Sequence, residues 1–322
     1  MRGVVADIGG TNARFALVDD LAAARSTLSH VINYKVADHA TLAVALERYF
    51  DEVSEERPRR AAIAVACPVL GDRVRFTNNG WQFSQAELIR LLELEQLKVF
   101  NDFAAQAMAL PYLAAHQLAD IGEVPEPDLT SDTLAVLGPG TGLGVAGLHL
   151  GGERHTVFTS EGGHVAFAAA DDLEFEVLKL LNRRYDRVSY ERILSGQGIR
   201  NLYEALGQIM DQHVEAYDPT AITAHALAGD DPLCAQTLER FCAILGGFAG
   251  DVALMLRARH VYLTGGILPR FIEFLRHSGF RRRFEAKGRF SDLMRRTPVS
   301  VIVEPSPGLV GAAAALQQME AK

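Results

Sequence analysis

The chain has 322 residues, 48% of them hydrophobic and 22% charged, which excludes a disordered or fibrous protein and, at this length, favours two globular lobes over one core. Lysine plus arginine number 32 against 40 for aspartate plus glutamate, and the resulting net charge of -8 repels polyanions, so nucleic acid is not expected as a partner. Cys67, Cys234 and Cys242 cannot all pair and lack zinc or C-x-x-C spacing, and no run of about 18 uncharged apolar residues occurs, so a cytoplasmic protein with no membrane partner is expected.

In chain order, Gly3 to Asp7 and Arg14 to Val18 read as strands joined by the turn Gly9-Gly10-Thr11-Asn12, with no apolar leader ahead of them. Thr41 to Val53 has helical spacing at Leu42, Ala45, Leu46, Tyr49 and Phe50, and Ala61 to Val65 is a short buried strand. Ser84 and Glu87 form a capping-box pattern that opens a helix through Leu91 and Leu92. Val99 to Asn101 reads as a strand, followed by a helix from Phe103 to Leu110 that Pro111 ends. Acidic residues and prolines between Ala119 and Asp132 mark a surface connection near a lobe boundary.

The segment LAVLGPGTGLGVAGL, Leu134 to Leu148, then repeats the design of VVADIGGTNARFALV, Val4 to Val18: strand, glycine turn with Gly-Thr, strand. A third glycine turn, Thr264-Gly265-Gly266, follows the apolar strand His260 to Leu263 and precedes a helix near Pro269 to Arg276. Arg281, Arg282, Arg283, Arg289, Arg295 and Arg296 crowd one stretch, readable as a solvated helix face or as an anion-binding patch. Gly308 to Leu316 reads as a helix of small residues able to pack closely and to return to the first lobe, giving expected lobes of 1–111 with 307–322, and 112–306.

No G-x-x-x-x-G-K-[ST] occurs, which excludes a P-loop. Gly142, Gly144 and Gly147 match G-x-G-x-x-G, but they lie within a strand, whereas a dinucleotide fingerprint must open a helix. Glycine turns between strands can instead bind phosphate through backbone N–H groups. Gly9, Gly10, Gly140 and Gly142 suit that task, with Thr11 and Thr141 as hydroxyl donors, although any one of them also reads as an ordinary hairpin. Asp7, ending an apolar strand beside the first turn, could hold hydrated Mg²⁺ or simply cap the turn. Polar residues gather at the ends of apolar runs: Asn78 and Asn79 with Trp81, Asn101 and Asp102, Glu161 with His164, and Glu191. Paired carboxylates, amides and imidazole match hydroxyls that both donate and accept, so a sugar site can be assembled from them. Taken singly, His164 also reads as a buried core histidine and Glu191 as a solvated helix residue.

The segments DIGGTNARFAL (Asp7 to Leu17), CPV-x-GD with TNN-x-W (Cys67 to Trp81), FNDFAA (Phe100 to Ala105), LGPGTGLGVAGL (Leu137 to Leu148), SEGGHVAFA (Ser160 to Ala168) and YERILSGQG (Tyr190 to Gly198) closely resemble the bacterial glucokinase family, in order and over essentially the whole chain. The resemblance implies an α/β fold of two ribonuclease-H-like lobes, as in the actin-like ATPase and hexokinase superfamily, around an interlobe cleft. It implies ATP-dependent phosphorylation of D-glucose at the 6-hydroxyl, with Asp102 as the catalytic base. Asn78, Asn101, Asp102, Glu161, His164 and Glu191 would bind the sugar. Ala6, Asp7, Ile8, Gly9, Gly10 and Thr11, with Gly140, Thr141, Gly265 and Gly266, would bind ATP, and Asp7 would hold Mg²⁺ through water. The family commonly has glycine where Ala6 stands. Related sugar kinases add a cysteine-rich zinc motif that shares such a histidine; its cysteines are missing here, so no structural zinc is expected and His164 should face sugar. The resemblance further implies a homodimer. A sugar-binding regulator with weak catalysis, or a kinase for another hexose, are the alternatives on the same fold.

Overall fold

The computed structural model describes residues 2–19, 27–53, 57–76, 79–123, 132–151 and 154–320. By their contacts they divide into two units, Met1–Ala114 with Leu148–Thr159 and Glu304–Lys322, and Ala115–Gly147 with Ser160–Val303. These bounds differ from the sequence-based ones chiefly at Leu148–Thr159, which groups with the first unit.

The first unit is built on strands β1 (Gly3–Ile8), β2 (Asn12–Val18), β3 (Leu28–Lys35), β4 (Arg60–Val65), the short pair β5 (Arg73–Arg75) and β6 (Gln82–Ser84), and β7 (Gln96–Asn101). The main sheet runs β3-β2-β1-β4-β7, with β1 antiparallel to β2 and parallel to β4, and β4 parallel to β7. Side chains alternate across a strand, so each residue of β1 belongs to one of two faces. Val4, Ala6 and Ile8 join Phe15, Leu46, Tyr49 and Trp81 in a core under helix α1 (Leu42–Val53). Val5 lies on the other face, against Leu309, Ala312, Ala313 and Leu316 of the carboxyl-terminal helix Pro307–Glu320. Asp7 shares the parity of Val5 and therefore lies on the face that this helix covers.

Helix α2 (Gln85–Leu91) starts as the capping pattern predicts, with Ser84 Oγ accepting the N–H of Glu87, and stops one residue short of Leu92. Helix α3 (Asp102–Ala109) follows β7 with no intervening loop. Pro111 falls in a following 3-10 turn, Leu110–Tyr112, and not at an abrupt stop. The carboxyl-terminal helix lies so close to α3 that a Cβ on Gly311 would come within 1.7 Å of the Ala105 carbonyl oxygen.

The second unit carries β8 (Leu118–Asp120), β9 (Thr133–Pro139), β10 (Leu143–His149), β11 (Thr156–Ser160), β12 (His260–Leu263) and β13 (Val299–Ile302) in the order β11-β10-β9-β12-β13-β8. Leu118–Asp120, part of the stretch assigned to a surface connection, is thus an edge strand, antiparallel to β13, with Ile121 buried behind it. Residues 124–131 of that stretch lie outside the described residues. Helices α4 (Asp172–Arg184), α5 (Gly196–Ile209), α6 (Pro219–Ala228) and α7 (Pro232–Leu256) cover the sheet, followed by the short α8 (Ile272–His277), α9 (Phe280–Glu285) and α10 (Ser291–Arg295). Asp171, Ser195, Asp218 and Asp231 cap the four long helices by accepting a backbone N–H three residues on, which satisfies a donor that the helix itself cannot.

The arginine-rich stretch is neither a free face nor an anion patch throughout. Arg283 donates through both terminal nitrogens to the fully buried Glu174, at 2.8 and 3.1 Å, and Arg240 joins the same carboxylate at 3.1 Å. Arg281 pairs with Glu285 and donates to the carbonyls of Thr297, Met294 and Arg295. A buried carboxylate is tolerated only when paired, and Glu174 commits Arg283, together with Arg240, to that pairing.

Candidate active site

The first unit presents its polar residues where β1 and β7 end. Gly9 N–H donates to the Asn12 carbonyl at 2.9 Å, closing the turn, and Asn79 Nδ2 donates to the Gly9 carbonyl at 3.1 Å. Asn79, absent from the sugar-ligand set, is therefore a brace for the turn; Asn78, which is in that set, lies outside the described residues. Ala6 and Ile8 are buried in the core at 1% and 0% exposure and paired in the sheet on both sides. Of the segment Ala6 to Thr11, the side chain of Asp7 and the backbone of Gly9, Gly10 and Thr11 are what the strand end can offer a ligand.

Asp7 stands opposite Arg14 in the β1–β2 register, and Arg14 Nη1 is 3.6 Å from its Oδ2. Burial raises the Asp7 pKa above the ordinary carboxylate value, and Arg14 pulls it partly back. On the other side is a residue that the sequence reading missed as part of the site. A Cβ on Gly308 would lie 2.6 Å from the Asp7 Cγ, so the start of the carboxyl-terminal helix touches this carboxylate only because position 308 has no side chain.

Asn101 is the N-cap of α3: its Oδ1 accepts the N–H of Phe103 at 2.9 Å, and its side chain also hydrogen-bonds the Asp102 carboxyl. Asp102 is the first residue of the helix, and its Oδ1 shares the same Phe103 N–H at 2.9 Å. A helix N-terminus favours a carboxylate. Burial nevertheless dominates, reinforced by the charge of Asp7, and pushes the Asp102 pKa up to about 6. The neighbouring thiol of Cys67 is pushed up to about 11, by burial first and the Asp102 charge second.

The second unit repeats the arrangement with a different lining. Gly140 N–H donates to the Gly142 carbonyl at 2.8 Å, and the Gly140 carbonyl accepts from Gly196 N–H at 2.9 Å. A Cβ on Gly140 or on Gly266 would meet nothing within 4 Å, so both backbones are open to a ligand. Gly265 differs: its φ is +97°, and a Cβ there would strike the Pro139 carbonyl oxygen at 2.3 Å. Gly138 lies similarly against Thr264, with its Cβ position 2.2 Å from that carbonyl oxygen. The second and third glycine turns are thereby held backbone to backbone, while Thr141 is exposed.

Glu161, His164 and Glu191 come together here. His164 Nε2 lies 4.0 Å from Glu161 Oε2, and His164 Nδ1 lies 3.7 Å from Glu191 Oε1. The imidazole is 56% exposed, so it is not a core histidine. Glu191 is only 29% exposed and sits on the 3-10 turn Tyr190–Arg192, so it is not a solvated helix residue either. Gly163 allows the turn to approach β10, since a Cβ there would be 2.0 Å from the Leu143 carbonyl oxygen. Among the described residues no cluster of three or more histidine, cysteine, aspartate or glutamate side chains is placed to hold a metal ion, and no helix is long and apolar enough to cross a membrane.

Two sheets with the same order of five strands, each with a Gly-Thr hairpin between its first two, define a class: paired ribonuclease-H-like α/β lobes of the actin-like ATPase and hexokinase superfamily. A family model described as Glucokinase matches residues 4–319. A glucokinase of Caulobacter sp. (strain K31) is 46% identical over 315 residues, covering 98% of this chain and 94% of the relative. A glucokinase of Chromohalobacter salexigens is 44% identical over 318 residues, covering 98% of each. The crystal structure of glucokinase from an Antarctic psychrotroph is similar with a TM-score of 0.90 at 39% identity, covering 98% of both chains. The chain belongs to the glucokinase family.

Proposed function

We propose that this chain phosphorylates D-glucose to glucose 6-phosphate with ATP, and that Asp102 is the general base. The observation that carries the role of Asp102 is a buried carboxyl at the first turn of α3 whose pKa, about 6, is poised to take a proton near neutral pH. Asp102 would accept the proton of the 6-hydroxyl as that oxygen attacks the γ-phosphorus. Asn101 would orient a sugar hydroxyl, and Glu161, His164 and Glu191 would do the same. The open backbones at Gly140 and Gly266, with Gly9, Gly10 and Thr11, suit phosphate, where alignment and charge neutralisation supply most of the rate. Asp7 offers one carboxylate, bounded by Gly308, where a Cβ would lie 2.6 Å from its Cγ, so no side chain from the helix start covers it; Mg²⁺ arriving with ATP and keeping most of its waters would neutralise phosphate charge there. Buried free thiols at Cys67, Cys234 and Cys242 favour a cytoplasmic setting, and the family resemblance favours a homodimer.

A coupled assay of ADP release tests the reading. Release should require glucose, and ADP formed equally without sugar would overturn it. In the same assay the base must be ionised, so kcat/KM should be constant at neutral pH and fall about tenfold per unit as pH drops below about 6. A plateau extending to pH 4 would remove Asp102 from that role.

The glycine turns give a separate test. Gly140→Val should fold normally, because nothing lies within 4 Å of its Cβ, yet weaken ATP binding by blocking approach to the backbone. Unchanged ATP affinity in folded Gly140→Val would take that turn out of the nucleotide site. Gly265→Val is no substitute for this variant: its strained φ and the Pro139 carbonyl would disrupt the local fold first.

A further inference from the structure

The two carboxylate oxygens of Glu191 have different neighbours. Oε2 accepts the N–H of Leu143 at 3.0 Å, the residue that opens β10 directly after the Gly140-Thr141-Gly142 turn. Oε1 faces His164 Nδ1 at 3.7 Å. Gly142 is shaped to this contact, because a Cβ there would lie 2.5 Å from Glu191 Oε2. The segment that carries Glu191 grips the turn a second time through Gly196 N–H and the Gly140 carbonyl, at 2.9 Å. It is also stiffened from within: Ser195 Oγ donates to the Glu191 carbonyl at 2.8 Å and accepts from Gly198 N–H at 3.0 Å. One side chain therefore has an oxygen committed to the second glycine turn and an oxygen turned toward the proposed sugar ligands.

We infer that Glu191 is a positioning residue for the Gly140 to Gly142 turn as well as a sugar contact, and that through it a bound hexose raises the affinity of that turn for a nucleoside triphosphate. The inference rests on the sugar role proposed above. A hydroxyl donating to Oε1 restricts the carboxylate, and the restricted carboxylate holds Leu143 N–H and the turn in one conformation before the nucleotide arrives. Preorganisation of this kind raises affinity without adding a contact to the second ligand, and by linkage the nucleotide must favour the sugar equally.

Calorimetric titration with Mg²⁺ and AMPPNP, with and without glucose, tests it on three variants whose melting temperatures are measured in parallel. Glu191→Ala should weaken AMPPNP binding to glucose-free protein about fivefold or more, the scale of one lost hydrogen bond. Glu191→Gln, whose amide oxygen can still accept from Leu143 N–H, should restore that glucose-free affinity to within about twofold of the wild type while glucose binding stays impaired. Gly142→Ala, a change on the turn itself, should lower glucose affinity by displacing the carboxylate. Wild-type AMPPNP affinity in glucose-free Glu191→Ala overturns the inference, as does an equal loss in the alanine and glutamine variants. Should Glu191→Ala fail to fold, unchanged glucose affinity in Gly142→Ala overturns it instead. Normal glucose binding by Glu191→Ala would remove the sugar role of this residue, a separate outcome read from a separate titration.

Discussion

Asp102→Asn should lower kcat by about 10² to 10⁴, or roughly 3 to 5 kcal/mol of barrier, while glucose and ATP affinities change much less. Asparagine keeps the size of the side chain and an oxygen for Phe103 N–H, and Asn101 Oδ1 accepts from the same donor, so the start of α3 should survive. It also removes a charge from a buried site beside Asp7, so stability should not fall. What the variant cannot do is take a proton. Loss of an interaction made only in the transition state lowers kcat and kcat/KM together. Near-normal glucose binding by calorimetry, with turnover within about tenfold of the wild type, would reduce Asp102 to an orienting residue. Glu191, 29% exposed, would then be the next candidate base ahead of Glu161, which is 79% exposed.

Gly311→Val should destabilise the protein although position 311 lies in the middle of a helix, where glycine is intrinsically poor. Replacing it relieves less than about 1 kcal/mol of unfavourable helix propensity. Against this stands a Cβ position 1.7 Å from the Ala105 carbonyl oxygen, a backbone atom that no rotamer change can move aside. Overpacking of this kind costs about 1 to 3 kcal/mol or more, so packing outweighs propensity. At about 2 to 4 °C per kcal/mol for a unit of this size, the melting temperature should fall by several degrees. Turnover should fall as well, because the helix forced outward by the new side chain is α3, and α3 begins at Asp102. A melting temperature within about 1 °C of the wild type would show that the two helices separate freely, and with it would go their part in fixing the base.

Both variants depend on features of unequal visibility in the chain. Strands β1, β4, β9 and β12 could be read from their short apolar runs, and helix α1 from its spacing, because periods of 2 and 3.6 are local properties. The repeat of strand, Gly-Thr turn and strand was readable for the same reason, and the structure gives each copy the same place in a sheet of the same order. The family resemblance, carried by whole segments, pointed to Asp102, Glu161, His164 and Glu191 by number. Helices α6 and α7 went unread although Asp218-Pro219 and Asp231-Pro232 are start signals, a cap followed by a proline that needs no N–H partner.

Other properties came into being only when distant segments met. Gly308 bounds Asp7 across some 300 residues of chain, and nothing near either residue announces the contact. Gly140 and Gly265 look alike as letters; the first is open and the second is locked, because a neighbouring strand lies against one and not the other. Arg281 and Arg283 read as surface charge until Glu174 and the carbonyls at the end of α10 claimed their donors. The Asp102 pKa is likewise raised by burial and by Asp7, which outweigh the lowering hydrogen bonds from its sequence neighbours Phe103 and Asn101. By itself the sequence determined the elements, the repeat and the residue types that could do the chemistry, since those follow from periodicity and side-chain identity. Only the tertiary structure decided which groups are desolvated, which glycines are held closed and which charges are spent in pairs, since burial, close approach and pairing exist only once the chain has packed.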